Sequence, residues 1–173
     1  MNIEHLKKAI RNIPDFPKPG IQFKDITTLL QDIDVFQETI DIFYQQFKGK
    51  EIEAVVGIES RGFIFAAPLA LKLGCRFVLA RKPGKLPGET IAEEYELEYG
   101  IDSIEMHKDA INGGDRVLIV DDLLATGGTA RAVGKLVNKL RGKIFSYCFL
   151  IYLKELNGLD ILLPESVFYL IDY

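Results

Sequence analysis

The chain has 173 residues, 48% of them hydrophobic, and a formal net charge of −4. That size suits one globular domain with a substantial core, and the acidic balance argues against a nucleic-acid surface, which needs a basic patch or stripe. No apolar run approaches the roughly 20 residues of a membrane span, and Met1 to Leu6 lacks the charged and apolar regions of a signal peptide, so a cytoplasmic location without membrane contact is expected.

Ile3, Leu6, Ile10 and Ile13 predict an amphipathic first helix, stopped by the prolines at 14, 17 and 19. Phe36, Ile40, Phe43 and Phe47 form the apolar stripe of a second helix, from about Asp34 to Phe47. Ala54 to Ile58 predicts a short buried strand, Phe63 to Leu73 a helix, and Arg76 to Ala80 a second strand, which is the βαβ pattern of a parallel sheet. Arg81 to Gly88 carries Arg81, Lys82 and Lys85 between prolines and glycines, and reads as a mobile loop rather than a helix or central strand. Tyr95, Leu97 and Tyr99 then alternate with Glu94, Glu96 and Glu98, the period of a ribbon with one buried face. A strand from Arg116 to Val120, a helix to Leu140, a strand from Ile144 to about Leu153 and a late strand from Val167 to Ile171 complete a doubly wound α/β fold without repeats or an interdomain linker. Cys75 and Cys148 lie far apart, and neither they nor His5 and His107 have the neighbours of a metal site or a catalytic triad.

Val117 to Ala130 is the most informative segment: Val-Leu-Ile-Val-Asp-Asp-Leu-Leu-Ala-Thr-Gly-Gly-Thr-Ala. Four aliphatics suit a strand covered on both faces, two carboxylates end it, and a small-residue turn leads into a helix. Ligands of open α/β sheets bind at such a corner. Backbone N–H groups and the positive end of the helix dipole favour a phosphate, Gly127 and Gly128 let it approach, and Thr126 and Thr129 add hydroxyls. Asp121 and Asp122 would be superfluous for a bare phosphate, whereas carboxylates accept hydrogen bonds from the vicinal diol of a sugar phosphate. The bland alternative is an ordinary crossover turn. A P-loop is excluded because Gly57-Ile-Glu-Ser-Arg-Gly62 continues with Phe63 instead of Lys, and no Gly-x-Gly-x-x-Gly dinucleotide fingerprint occurs.

The segment from Val117 to Thr129 resembles the phosphoribosyl pyrophosphate signature of the type I phosphoribosyltransferases. Three further segments, Phe16-Pro-Lys-Pro-Gly-Ile-Gln-Phe-Lys-Asp-Ile-Thr27, Gly57-Ile-Glu-Ser-Arg-Gly-Phe63, and Arg81-Lys-Pro-Gly-Lys-Leu-Pro-Gly88 followed by Leu97-Glu-Tyr-Gly100, are similar to the adenine branch of that family, in its order. The resemblance implies a parallel sheet flanked by helices in a single domain over 1–173, with an amino-terminal base-binding hood over 1–33 and a flexible loop and ribbon over 81–100. It implies purine salvage: a phosphoribosyl group passes from 5-phosphoribosyl 1-pyrophosphate to adenine, releasing pyrophosphate. It also implies Mg2+ held mainly by substrate oxygens, without a dedicated protein cage, and a homodimer in which the loop can cross to the neighbouring subunit.

Matched position by position, the resemblance assigns the 5-phosphate to Ala125, Thr126, Gly127, Gly128 and Thr129, and the ribose hydroxyls to Asp121 and Asp122, provided the chain turns there, since neighbouring strand side chains point opposite ways. Arg61, Arg81 and Lys85 would meet pyrophosphate, with an unusual peptide at Glu59-Ser60. Adenine would lie against Phe23, its edge read by backbone groups of Gln22 and Lys24, and Leu153 would close its apolar side. Phe23 alone reads equally well as a core anchor. Glu98 would be the general acid/base, although periodicity alone makes it one of three solvent-facing carboxylates. A phosphoribosyltransferase for another base, and a module that senses the sugar donor without catalysis, share the Asp-Asp turn; the segments around Phe23 and Glu98 favour adenine.

Overall fold

Val117, Leu118, Ile119 and Val120 are completely buried, and a strand covered on both faces needs neighbours on both edges to satisfy its backbone. The computed structural model describes residues 3–96 and 100–173, and the chain divides into two units, 1–45 and 46–173.

The first unit holds α1 (Glu4–Lys8), β1 (Arg11–Pro14), β2 (Gln22–Asp25), α2 (Thr27–Gln31) and α3 (Ile33–Phe47), the last running across the boundary. The first helix is shorter than its apolar spacing predicts. It closes at Ala9, and Arg11–Pro14 turns into a strand antiparallel to Gln22–Asp25, with Ile13 opposite Phe23. Long-range pairing overrides the local period here. The Thr28 hydroxyl accepts from the Arg11 N–H (3.2 Å) and donates to the Ala9 carbonyl (2.6 Å), fixing the turn between helix and strand. Asp25 clasps the hairpin, accepting from Arg11 Nε at 3.0 Å and from the Thr27 N–H at 3.0 Å. Chiefly because of Arg11, its carboxyl is held down at about 2. The clasp therefore contributes stability above the ordinary aspartate range and loses it only as pH falls through about 2.

The second unit holds β3 (Ala54–Ile58), α4 (Gly62–Leu73), β4 (Arg76–Ala80), β5 (Thr90–Glu96), β6 (Ile101–His107), β7 (Arg116–Leu124), α5 (Gly128–Lys139), β8 (Lys143–Tyr152), two single 3-10 turns (Lys154–Leu156 and Asp160–Leu162) and β9 (Val167–Asp172). Five strands form a parallel sheet in the order β4-β3-β7-β8-β9. The doubly wound sheet read from the sequence is thus present. β5 and β6 pair as a separate antiparallel ribbon.

Alternation along β3 and β7 sorts the two sheet faces. Ala54, Val56, Ile58, Val117 and Ile119 join a buried cluster with Ala132, Val133 and Leu136 of α5 and with Tyr95, Ile104 and Met106 of the ribbon. On the other face α4 lies so close that a Cβ on Gly57 would be 2.9 Å from Ala66 Cβ and 2.9 Å from Phe77 Cε2. Gly57 is therefore required by helix–strand packing. Gly57→Ala is expected to lower unfolding free energy by about 1–3 kcal/mol through overpacking; a urea titration showing no change in midpoint would remove that constraint.

Candidate active site

From β3 the chain moves outward to β4, then returns to the opposite side of β3 as β7. The order reverses between β3 and β7, and the carboxyl ends of strands at such a switch point open a crevice for ligands. Two turns reach this end of the sheet: Glu59 to Arg61 after β3, and Ala125 to Gly127 after β7. Each leads into a 12-residue helix whose N-terminus no side chain caps. Unpaired helix N–H groups and the positive dipole end together favour an anion. Among the described residues, the N–H groups of Ala125, Thr126 and Gly127 donate to no protein acceptor.

The glycines of the second turn are required by the protein's own packing. Gly127 has φ +84°, a left-handed conformation that side chains disfavour, and a Cβ there would be 2.7 Å from the Gly158 carbonyl oxygen. A Cβ on Gly128 would be 3.3 Å from the Glu96 carbonyl oxygen.

β7 continues past the predicted end at Val120 to Leu124, pairing Asp121, Leu123 and Leu124 with Phe149, Ile151 and Tyr152 of β8. The two acids thus lie within the strand and the turn expected at them is absent; both carboxylates nevertheless reach the start of α4, Asp122 beside Arg61 and Asp121 Oδ1 beside Gly62. Asp121 is partly exposed and takes the Asp122 N–H on Oδ1 at 2.9 Å; Asp122 is 3% exposed. Arg61 Nε approaches Asp122 Oδ2 at 3.0 Å, but without the alignment of a hydrogen bond, so this buried oxygen has none. Gly62 makes the arrangement possible: a Cβ there would be 2.7 Å from the Val120 carbonyl oxygen and 2.9 Å from Asp121 Oδ1. Burial raises the Asp121 pKa well above the ordinary value, and the neighbouring Asp122 charge adds to the shift. Burial also raises Asp122, with Arg61 opposing it.

The Glu59–Ser60 peptide is cis, at the place where the resemblance implies an unusual peptide. Of the basic residues expected to meet pyrophosphate, Arg61 and Arg81 are paired with acids of the same unit. Arg81 makes a two-pronged pair with Glu59 (Nε–Oε2 3.1 Å, Nη2–Oε1 3.1 Å) and donates from Nη1 to the Lys85 carbonyl at 3.1 Å. The Lys82 N–H also reaches Glu59 at 2.8 Å. Arg81 is the main cause that lowers the Glu59 pKa. Lys82 Nζ contacts Asp102 and, at 2.7 Å, the Tyr95 hydroxyl, while the Lys85 side chain is exposed. Glu59 and Asp102 are acids that reading the sequence missed, because only folding brings their sequence-distant partners to them. Glu93 is another. It binds Lys135 at 2.8 Å and Lys139 at 2.6 Å, tying the ribbon to α5.

The residues assigned to the base belong to different units and are described separately. In the first unit Phe23 is half-buried, outside the fully buried core, and meets Phe16 edge-on with ring centroids 5.1 Å apart. Asn12 of β1 accepts from Lys24 Nζ at 3.0 Å and donates to Gln22 Oε1 at 2.7 Å, so one residue orders both neighbours of Phe23. In the second unit Leu153 follows β8, its N–H donating to the Leu124 carbonyl at 3.0 Å. Glu98 lies outside the described residues.

Residues 25–161 match the family model described as the phosphoribosyl transferase domain. An adenine phosphoribosyltransferase from Geotalea daltonii is 55% identical over 171 residues, covering 99% of this chain and 100% of the relative. The crystal structure of adenine phosphoribosyltransferase from Thermoanaerobacter pseudethanolicus superposes with a TM-score of 0.96 at 50% identity, covering 99% of this chain and 100% of that one. The Saccharomyces cerevisiae enzyme, crystallised with an imino-altritol bisphosphate and adenine, gives 0.93 at 43% identity with 97% of each chain covered. With its switch-point crevice, its Asp121–Asp122 pair leading into the 125–127 turn, and full-length likeness to these proteins, the chain belongs to the phosphoribosyltransferase family and, within it, to the adenine phosphoribosyltransferases.

Proposed function

We propose that the β3–β7 crevice transfers the phosphoribosyl group of 5-phosphoribosyl 1-pyrophosphate to adenine, giving AMP and pyrophosphate in purine salvage, with the residues in the following roles. The observation that carries this assignment is the uncapped turn over 125–127, whose amides have no protein acceptor among the described residues, beside the adjacent carboxylates of Asp121 and buried Asp122. The turn and the first residues of α5 hold the 5-phosphate, with Thr126 and Thr129 adding hydroxyl donors. Asp121 and Asp122 accept the ribose hydroxyls, whose donors suit the oxygen left without a hydrogen bond on Asp122. Arg61, Arg81 and Lys85 receive the pyrophosphate, Arg81 exchanging Glu59 for it. Adenine stacks on Phe23, with backbone groups of Gln22 and Lys24 at its edge, and Leu153 is its apolar contact.

As a ring nitrogen of adenine bonds to ribose C1 and pyrophosphate departs, positive charge grows on the sugar and negative charge on the leaving group. No protein nucleophile is needed; positioning and electrostatic stabilisation supply the rate. The carboxylates lie beside the sugar charge, and the cations with the uncapped end of α4 lie beside the pyrophosphate. Glu98 takes the proton released from the far nitrogen of the imidazole ring. The cradle suits Mg2+ bound to substrate, because the donors that Asp121 and Asp122 offer are hard oxygens. Bound through pyrophosphate and ribose oxygens near Asp121 and Asp122, the metal would neutralise charge on the leaving group. A homodimer fits Leu71, 83% exposed on α4, and Phe77, 37% exposed on the edge strand β4.

A magnesium-dependent assay offering adenine, hypoxanthine, guanine and xanthine in turn, read by pyrophosphate release, is expected to give turnover with adenine alone; turnover with another base at the same rate would overturn the specificity. Glu98→Gln should lower turnover by roughly 10²- to 10⁴-fold while leaving the KM for the sugar donor unchanged, and full activity in that variant would sink the acid/base role. For Asp121 the sign of linkage is opposite to that of Asp25. A carboxyl raised on folding favours the folded state below its ordinary value of 3.8, and that advantage is lost as pH rises through the raised value. At neutral pH, Asp121→Asn should therefore raise the ligand-free melting temperature by roughly a few degrees while weakening donor binding about tenfold or more. Calorimetry on both forms checks this, and a lower melting temperature would contradict the repulsion between the two acids.

A further inference from the structure

Beyond β8 the chain makes its two 3-10 turns, and between them Asn157, Gly158 and Leu159 pass against the back of the 125–127 turn. A Cβ on Gly158 would fall inside the van der Waals shell of the Ala125 carbonyl oxygen, 3.0 Å from the Ala125 carbonyl carbon and 3.1 Å from the Gly127 nitrogen. Gly158 is absent from the positive-φ residues, so space, not conformation, demands glycine. The crowding is reciprocal: a Cβ on Gly127 would be 2.7 Å from the Gly158 carbonyl oxygen and would overlap Ile161 Cγ2. Two backbone segments thus meet at a pair of glycines, with the Ile161 side chain behind the second.

This backing segment is itself firmly seated. The Asp160 N–H donates to the Asn157 carbonyl at 3.1 Å and the Leu162 N–H to the Leu159 carbonyl at 3.0 Å. Leu162 is 2% exposed within the buried cluster that includes α5. A turn whose amides donate to no protein acceptor has no internal hydrogen bonds to set their direction, so neighbouring backbone must do so. The atoms nearest the position of a Gly127 side chain all belong to Gly158 and Ile161.

We infer that Gly158, with Ile161 behind Gly127, is a positioning residue for the 5-phosphate: it fixes the direction of the turn's amides without touching substrate. The inference rests on the placement of the 5-phosphate at 125–129. Adding a methyl at 158 pushes the Ala125–Gly127 peptides toward the anion side and misaligns N–H groups whose bonds to a charged oxygen weaken steeply with angle.

The test compares Gly158→Ala, Ile161→Ala and Leu162→Ala with wild type, by calorimetric titration of ribose 5-phosphate, amide NMR of residues 126–129, and KM for each substrate. Gly158→Ala should weaken ribose 5-phosphate binding roughly 10- to 100-fold, the worth of one or two charge-assisted hydrogen bonds. It should raise the KM for the sugar donor and leave the KM for adenine unchanged. Ile161→Ala, which removes the backing without a backbone clash, should weaken ribose 5-phosphate binding by a smaller factor, and it carries the test should Gly158→Ala fail to fold. Leu162→Ala loosens the seat of the same segment from the core side without adding bulk against the turn, and should weaken ribose 5-phosphate binding less than either variant that faces the turn. Equal losses in Leu162→Ala and the other variants would reduce Gly158 to a structural role and overturn the inference. Wild-type affinity in both Gly158→Ala and Ile161→Ala would overturn it as well. If wild type binds ribose 5-phosphate without shifting the amides of 126–129, the placement of the phosphate itself fails, a result distinct from either of these.

Discussion

Two adjacent acids inside a buried strand set the terms for the rest of the second unit. Their charges repel and their hydration is lost, so the ligand-free fold must offset an electrostatic penalty. It does so with one arginine, Arg61, brought by the turn after the neighbouring strand. That compensation is partial, since one Asp122 oxygen keeps no hydrogen bond. A site that satisfied both acids internally would have nothing left for a diol. The unfavourable feature of the empty protein and the proposed affinity of the crevice are the same feature seen in two states.

Close backbone approach is the means by which the surrounding structure tolerates this pair. Gly62 lets α4 start directly over Val120 and Asp121, Gly57 lets the same helix settle on β3, and Gly158 lets a distant segment press on the turn after β7. None of these three has a positive φ in the structure. Each is a glycine because another element occupies the space of a side chain. Glu93 adds a different kind of brace, holding Lys135 and Lys139 one helical turn apart so that the ribbon and α5 share a fixed edge.

Much of this was legible in the residues. The strands over 54–58 and 76–80 and the buried start of β7 announced themselves by short, mainly apolar runs, and α4 and α5 by their apolar faces, because burial leaves a direct imprint on residue order. The corner after β7 was visible for the same reason. The hairpin formed by β1 and β2 was not: Ile10 and Ile13 keep a helical spacing, while the strand depends on Asp25, Thr28 and Phe23 reached across a loop. Glu59 and Gly158 were hidden similarly. An isolated glutamate or glycine carries no period, and its partner is fixed only when strands and turns far apart in sequence come to lie side by side.

The pairing of Arg81 with Glu59 bears on how the protein would feel its ionic surroundings. A guanidinium already neutralised by a carboxylate adds little to the long-range field that draws in a polyanion. On turning to pyrophosphate it would trade one doubly hydrogen-bonded anion for another, so dissolved salt, which screens distant charges far more than contacts of this kind, would bear weakly on that step. Arg81 would then serve as a gauge of anion shape, leaving exposed Lys85 to attract.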